Sequence, residues 1–263
     1  MLRNNPAVSL ATRRWLRREL SGEIFLDGAS LMEIERALGV CAAVHPGGMI
    51  HDTARRLGGD ERSAREAGSI AELFYCVCSL TDDIQDGEWG ALGTDRLDLA
   101  LNVQAQMLCL VAERARAAER WEAGARGIVA DLLYSTGVSM LSGQRVELER
   151  SAWSRGAYRQ VARLSAGLQF AAYFEIAARS AGRVTDVRPW RAFGESFGAL
   201  LQLVVDIETD DDRLAVFDRE ALVAEAEAGR GAVERAARGL GEPAAPLVRG
   251  AAARCDAAIG APR

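Results

Sequence analysis

Residues 71–86 read AELFYCVCSLTDDIQD. An apolar run of helix formers and aromatics ends abruptly in three carboxylates, Asp82, Asp83 and Asp86. On a helix Asp82 and Asp86, four residues apart, point the same way with Asp83 beside them. Like charges at that spacing repel, and the macrodipole at a helix C-terminus favours cations, so the arrangement calls for something positive. Carboxylates are hard oxygen ligands suited to Mg²⁺, an ion that keeps several waters and commonly completes its shell with a substrate phosphate. Taken alone, a solvated acidic helix end is the commoner explanation of such a cluster.

A second stretch changes the balance. Residues 198–213, GALLQLVVDIETDDDR, form another apolar segment running into acids, with Asp206 and Asp210 four apart and Glu208 and Thr209 between them. Two apolar helices, each ending in a carboxylate pair, can face each other across a pocket mouth and hold metal between them. Such a pocket is apolar in its depth and binds Mg²⁺ and diphosphate at its rim, which is what an isoprenoid substrate requires.

The rest of the chain fits a helical frame. Its 263 residues are 49% hydrophobic, enough for a large core, and are read as a single domain over 1–263. Alanine, leucine, arginine and glutamate dominate, and punctuation predicts helices at 9–20, 29–43, 47–58, 62–86, 93–118, 121–142, 154–181, 188–212, 218–237 and 243–258. The fold class expected is therefore all-α, one large helical bundle whose centre is formed by the most apolar helices. The net charge of -5 is spread along the chain without a basic block, which argues against nucleic acid as a partner. Five scattered cysteines read as buried thiols in a reducing compartment. No apolar stretch approaches the roughly 18–20 residues of a membrane span, and arginines stand where a signal peptide would be apolar, so a cytoplasmic protein is expected. All basic residues are arginine; the chain has no lysine.

Taken in order, several segments resemble the trans-isoprenyl diphosphate synthases. AELFYCVCSLTDDIQD is similar to their first aspartate-rich motif, DDxxD, with LGGD (57–60) before it. SGQRVELE (142–149) resembles their GQxxDL element, YRQVARLSAGLQFAAYFEIAARSAG (158–182) the segment carrying KTAxLF, and FGESFGALLQLVVDIETD (193–210) the helix of the second aspartate-rich motif. The resemblance implies an all-α bundle around a deep apolar pocket, a homodimer, an allylic prenyl diphosphate substrate and two or three Mg²⁺ ions. Its implied metal ligands are Asp82 and Asp86, with Asp83 adjacent, on one side and Asp206, Thr209 and Asp210 on the other. Arg159 and Arg163, one turn apart, are candidates to clamp the leaving diphosphate, though a solvated helix face explains them equally well. Gln144 and Gln202 are candidates to orient phosphate or water. Phe74, Tyr75, Phe170, Tyr173 and Phe174 could face a carbocation, although each such aromatic is more often core. Cys78 and Val77, four and five residues before the motif, stand where the family sets chain length; with Phe74 and Tyr75 as a floor they imply a C15–C20 substrate.

The departures bear on function. GVCAAVHPGGM (39–49) and DGEWGALGTD (86–95) lack the family's GGKRxRP stretch and arginine pair, which bind isopentenyl diphosphate, and Leu164 stands at the lysine of KTAxLF. Arginine can replace some such lysines, but with a planar fork in place of a point charge. Val205 replaces the first aspartate of the second motif. Against the NDxxSxxxE motif of class I terpene cyclases, Val205 and Arg213 stand in place of Asn and Glu. These departures favour a terpene cyclase that ionises one allylic diphosphate. The alternatives are an isoprenyl diphosphate synthase or other prenyltransferase, and a non-catalytic partner subunit of such a synthase.

Overall fold

The computed structural model describes residues 45–87, 97–118, 121, 128–149 and 152–260. The expected helices 9–20 and 29–43, the first residues of 93–118 and 121–142, and most of DGEWGALGTD lie outside them. Among the described residues every regular element is helical. Counted from the first described helix these are α1 (Pro46–Arg56), α2 (Glu61–Gln85), α3 (Leu97–Ala117), α4 (Ile128–Leu148), α5 (Arg155–Ala162), α6 (Leu168–Ser180), α7 (Val187–Thr209), α8 (Arg219–Ala237) and α9 (Ala245–Gly260). They fall into two compact units, one built on α1–α3 and the other on residues from Asp131 onward.

In the first unit, α2, expected at 62–86, starts at Glu61. Asp60 caps it by accepting from the backbone N–H groups of Arg62 and Ser63 at 2.9 and 3.0 Å, and Glu61 places a negative charge in the first turn. Its buried face, from Ala64 through Ile70, Leu73, Phe74, Val77 and Leu80, packs against α3. Glu72, fully buried on the same helix, accepts from the Gly47 N–H at 2.6 Å and lies 2.9 Å from His45 Nδ1. A buried carboxylate thus ties the start of α1 to the middle of α2.

In the second unit the pairing of α6 with α7 dominates. A Cβ on Gly194 would lie 2.4 Å from the Phe170 carbonyl oxygen, and one on Gly198 2.3 Å from that of Ala166. Two glycines one turn apart therefore let the helix backbones touch. Around that contact Phe170, Tyr173, Phe174, Trp190, Phe193 and Phe197 form a buried aromatic cluster with ring centroids 5.0 to 6.2 Å apart.

Three helix boundaries differ from expectation, each for a local reason. The helix expected at 121–142 runs on to Leu148, because Gly143 does not end it: Gly143 is buried against Leu164, whose Cβ would be 3.1 Å from an added methyl. The helix expected at 154–181 is interrupted by a π turn at Arg163–Gly167, followed by α6. Across this turn the Ala166 and Phe170 carbonyls come to lie against the two glycines of α7. The helix expected to reach 212 stops at Thr209, where Asp210 takes a left-handed conformation with φ 53°. Aspartate is one of the few residues that enter this region, and here it reverses the chain.

Candidate active site

The acidic end of α2 belongs to the first unit. Asp82 is half-buried, Asp83 buried and Asp86 exposed at the cap, and the last turn carries no basic residue. Just before them Thr81 donates to the Val77 carbonyl at 2.8 Å and accepts from Gln104 of α3 at 2.5 Å. Gln104, a residue that motif reading overlooks, thereby pins the turn that carries the aspartates. Upstream on the helix Phe74 and Val77 are buried and Tyr75 and Cys78 half-buried. Carboxylates at the electronegative end of a helix are hard oxygen donors of the kind Mg²⁺ takes, and Asp82 and Asp86, with Asp83 adjacent, are the residues that would offer them, although as folded the three do not converge as a metal site.

The acidic end of α7, in the second unit, is built differently. Asp206 is 2% exposed, and both of its oxygens accept hydrogen bonds. Tyr158 of α5 donates its hydroxyl to Oδ2 at 2.7 Å, while Gln202 Nε2 and Arg213 Nη2 donate to Oδ1 at 2.8 and 3.0 Å. Arg213 also donates through Nη1 to Glu147 at 2.7 Å and, from Nε and Nη2, to both oxygens of Asp211 at 2.8 and 2.9 Å. The turn that delivers it is set locally. Asp210 reverses the chain, the Asp211 N–H bonds to the Asp206 carbonyl at 3.0 Å, and Asp211 caps a short 3₁₀ turn, Asp212–Val216, by accepting from the Arg213 N–H.

Electrostatics follow from this burial. Burial raises the Asp206 carboxyl above its ordinary value against the opposing pull of Arg213 and Tyr158. Burial, reinforced by the Asp206 charge, pushes the Tyr158 phenol well up, so it remains a donor. Burial disfavours the charge on Arg213, but Asp211, Asp206 and Glu147 outweigh it and hold the guanidinium cationic. Thr209 donates to the Val205 carbonyl at 2.9 Å, and Asp210 is occupied in the left-handed cap. As folded, Asp206 does not fit a divalent ion, since three donors already occupy its two oxygens and one of them is the Arg213 cation. Among the described residues no three His, Cys, Asp or Glu side chains converge as a metal site.

Other expected site residues occupy varied positions. Arg159 forms a bidentate pair with Glu225 of α8, and Arg163 pairs with Glu195 of α7 at 2.5 Å; both arginines are exposed. Gln144 is half-buried on α4. Phe170, Tyr173 and Phe174 lie in the aromatic core of the second unit, in contact with other rings. Arg213 and Tyr158 complete the Asp206 cluster. Arg213 was visible as a basic residue where the cyclase motif has an acid, whereas nothing in the sequence flagged Tyr158.

An all-α chain with these two acid-ended helices has the fold of the isoprenyl diphosphate synthases. It superposes on a geranyltransferase from Legionella pneumophila with a TM-score of 0.78 at 17% identity, covering 96% of this chain and 95% of that one. An FPP/GFPP synthase from Zymomonas mobilis gives 0.73 at 15% identity, covering 95% and 98%. A deletion mutant of the mint heterotetrameric geranyl pyrophosphate synthase gives 0.67 at 14% identity, covering 93% and 98%. No protein-family model and no curated protein matches the sequence.

Proposed function

We propose that the protein is a prenyltransferase acting on an allylic prenyl diphosphate. The observation that carries this reading is the likeness, over 96% of the chain, to a geranyltransferase, together with the acidic end of α2. That coverage also supports reading the chain as one domain. Magnesium held by Asp82 and Asp86, with Asp83 adjacent, would supply charge neutralisation of the diphosphate. In prenyl transfer the allylic C–O bond breaks with its electrons leaving on diphosphate. A π bond of the acceptor supplies the electrons of the new C–C bond, and the acceptor then loses a proton. The buried Phe74 and Val77 and half-buried Tyr75 and Cys78 would give the prenyl chain an apolar bed, in keeping with a C15–C20 substrate.

A terpene cyclase is the second reading, favoured by Leu164. It stands where the family's lysine would meet a diphosphate and is half-buried against Gly143. One fewer cation favours an enzyme that ionises a single diphosphate. A homodimer is supported by exposed apolar side chains, Leu97, Leu101 and Leu108 on α3 and Tyr134, Val138, Leu141 and Leu148 on α4.

The test is incubation with Mg²⁺ and geranyl, farnesyl or geranylgeranyl diphosphate, with and without isopentenyl diphosphate, followed by analysis of organic extracts and released diphosphate. A longer diphosphate formed only with isopentenyl diphosphate, and lost in Asp82→Ala, establishes elongation. Hydrocarbon or alcohol formed without it establishes the cyclase. No turnover with any of them refutes elongation and cyclisation and leaves a partner subunit or transfer to another acceptor.

A further inference from the structure

Among the described residues, the cluster around Asp206 is where the second acidic helix keeps its charge, and its cation is part of the chain. One guanidinium is set against three carboxylates, from α7, the following turn and α4. Its side chain is 19% exposed and that of Asp206 2%. All three guanidinium nitrogens are committed: Nε and Nη2 fork onto Asp211, Nη2 also bonds Asp206, and Nη1 bonds Glu147. The remaining donors to Asp206 are neutral, the Tyr158 hydroxyl on Oδ2 and the Gln202 amide on Oδ1. An Mg²⁺ ion demands near-ideal octahedral geometry at about 2.0–2.1 Å from each oxygen. Two N–H donors already occupy Oδ1 and the phenol takes one position on Oδ2, while the guanidinium 3.0 Å away would repel an incoming divalent cation, so the two cations compete for Asp206.

We infer that Arg213 is the resident counter-ion of the second acidic helix, that it holds Asp206, Asp211 and Glu147 together, and that Asp206 is not a metal ligand. Any divalent ion the protein binds is then held by other residues. Arg213 acts as a positioning residue: by fixing Asp206 it fixes the Tyr158 hydroxyl and the Gln202 amide. Charge is conserved in the exchange only in part, since a guanidinium carries half the charge of Mg²⁺. The excess negative charge rests on Glu147 and Asp211, each 26% exposed and so partly solvated.

The test counts Mn²⁺ bound to the full chain, without substrate, by electron paramagnetic resonance of the free ion. In Asp206→Asn the number of ions and their affinity are expected to match the wild type to within about twofold. Even an outer-shell partner of a ligand is worth about tenfold or more in affinity. Loss of an ion, or a tenfold weaker one, in Asp206→Asn overturns the inference. In Arg213→Gln the three carboxylates lose this guanidinium, and one additional Mn²⁺ per chain is expected, with a larger rise in melting temperature on adding Mn²⁺ than the wild type shows. An Arg213→Gln chain that folds and binds no more Mn²⁺ than the wild type overturns it too. If that variant does not fold, the Asp206→Asn count alone decides. The inference concerns the same helix as the proposed function but is read without a prenyl substrate. A wild type that turns over nothing yet gives these counts fails the function and keeps the inference, and turnover with an ion lost in Asp206→Asn does the reverse.

Discussion

Replacing Gly198 by alanine sets two effects of opposite sign against each other, and the structure says which wins. In a helix interior alanine is favoured over glycine by about 1 kcal/mol. At Gly198, however, the new methyl would sit 2.3 Å from the Ala166 carbonyl oxygen, 2.8 Å from its carbon and 2.9 Å from Phe170 Cβ. Two of these three atoms are backbone, so no rotamer change relieves the contact. Restoring ordinary van der Waals distance requires α6 and α7 to part by about 1 Å, and a gap of about 0.5–1 Å forfeits about a quarter to a half of each dispersion contact along the seam. That seam includes the buried rings of Phe170, Tyr173, Phe174, Phe193 and Phe197. Overpacking of this kind costs about 1–3 kcal/mol after relaxation, and more where backbone must move. The net expectation is a loss of about 1–2 kcal/mol, or about 2–8 °C in melting temperature at about 2–4 °C per kcal/mol. Gly250, on α9 with no atom within 4 Å of its added methyl, is the matched control. There the same change should stabilise by about 0.5–1 kcal/mol. Thermal melts followed by far-ultraviolet circular dichroism and by tryptophan fluorescence, to which Trp190 in the cluster contributes, would read both. Gly198→Ala melting at or above the wild type would refute the close approach of α6 and α7.

Tyr158→Phe removes only the donor to Asp206 Oδ2 and leaves a buried carboxylate oxygen without it; a loss of about 1.5–3 kcal/mol is expected in urea denaturation, and a loss below about 0.5 kcal/mol would contradict the buried bond. His45 carries a pH signature. Burial lowers its pKa, but the hydrogen bond and charge of Glu72 raise it further, so the net shift is upward. With the folded value raised, its contribution is complete below the ordinary histidine value of about 6.5 and is lost as pH rises through the higher folded value. Stability should therefore decline with pH above about 6.5 more steeply in the wild type than in His45→Gln, and equal slopes would dismiss the pair. Asp210→Gly relieves a left-handed residue and should stabilise by up to about 1 kcal/mol. If the same variant also loses turnover, Asp210 has a role beyond the turn.

How much of this was legible in the sequence depends on the range of the cause. The all-α class, the helix expected at 62–86 and the acidic ends of α2 and α7 follow from periodicity and local chemistry, and all stand in the structure. The run of α4 past Gly143 was hidden, because glycine reads as a stop until the residue facing it, Leu164, is known. The place of the aromatics was half legible: burial of Phe170, Tyr173 and Phe174 follows from their apolar surroundings, but their partners Trp190, Phe193 and Phe197 come from the next helix.

Arg213 shows the limit most clearly. On a continuous helix seven residues at about 1.5 Å rise each would place it about 10 Å along the axis from Asp206, too far for its guanidinium to sit on that carboxylate while also forking onto Asp211. A single residue decides otherwise. Asp210 at φ 53° ends the helix, the Asp211 N–H closes on the Asp206 carbonyl, and the chain folds Arg213 back to 3.0 Å from Asp206. Motif templates compare residues at fixed spacings and so register Arg213 only as a missing acid. Once the turn is known the same residue becomes the cation of the cluster, and the replacement of acid by base becomes a change in how the helix holds its charge. Two substitutions that look independent in the sequence, an aspartate where a helix should continue and an arginine where a ligand should stand, are one structural event. Replacing Arg213 by glutamate would then add a fourth carboxylate to a cluster that has lost its guanidinium, and Arg213→Glu should fold less stably than Arg213→Gln. Equal melting temperatures for the two in the absence of divalent ions would show that the guanidinium is not what balances Asp206, Asp211 and Glu147.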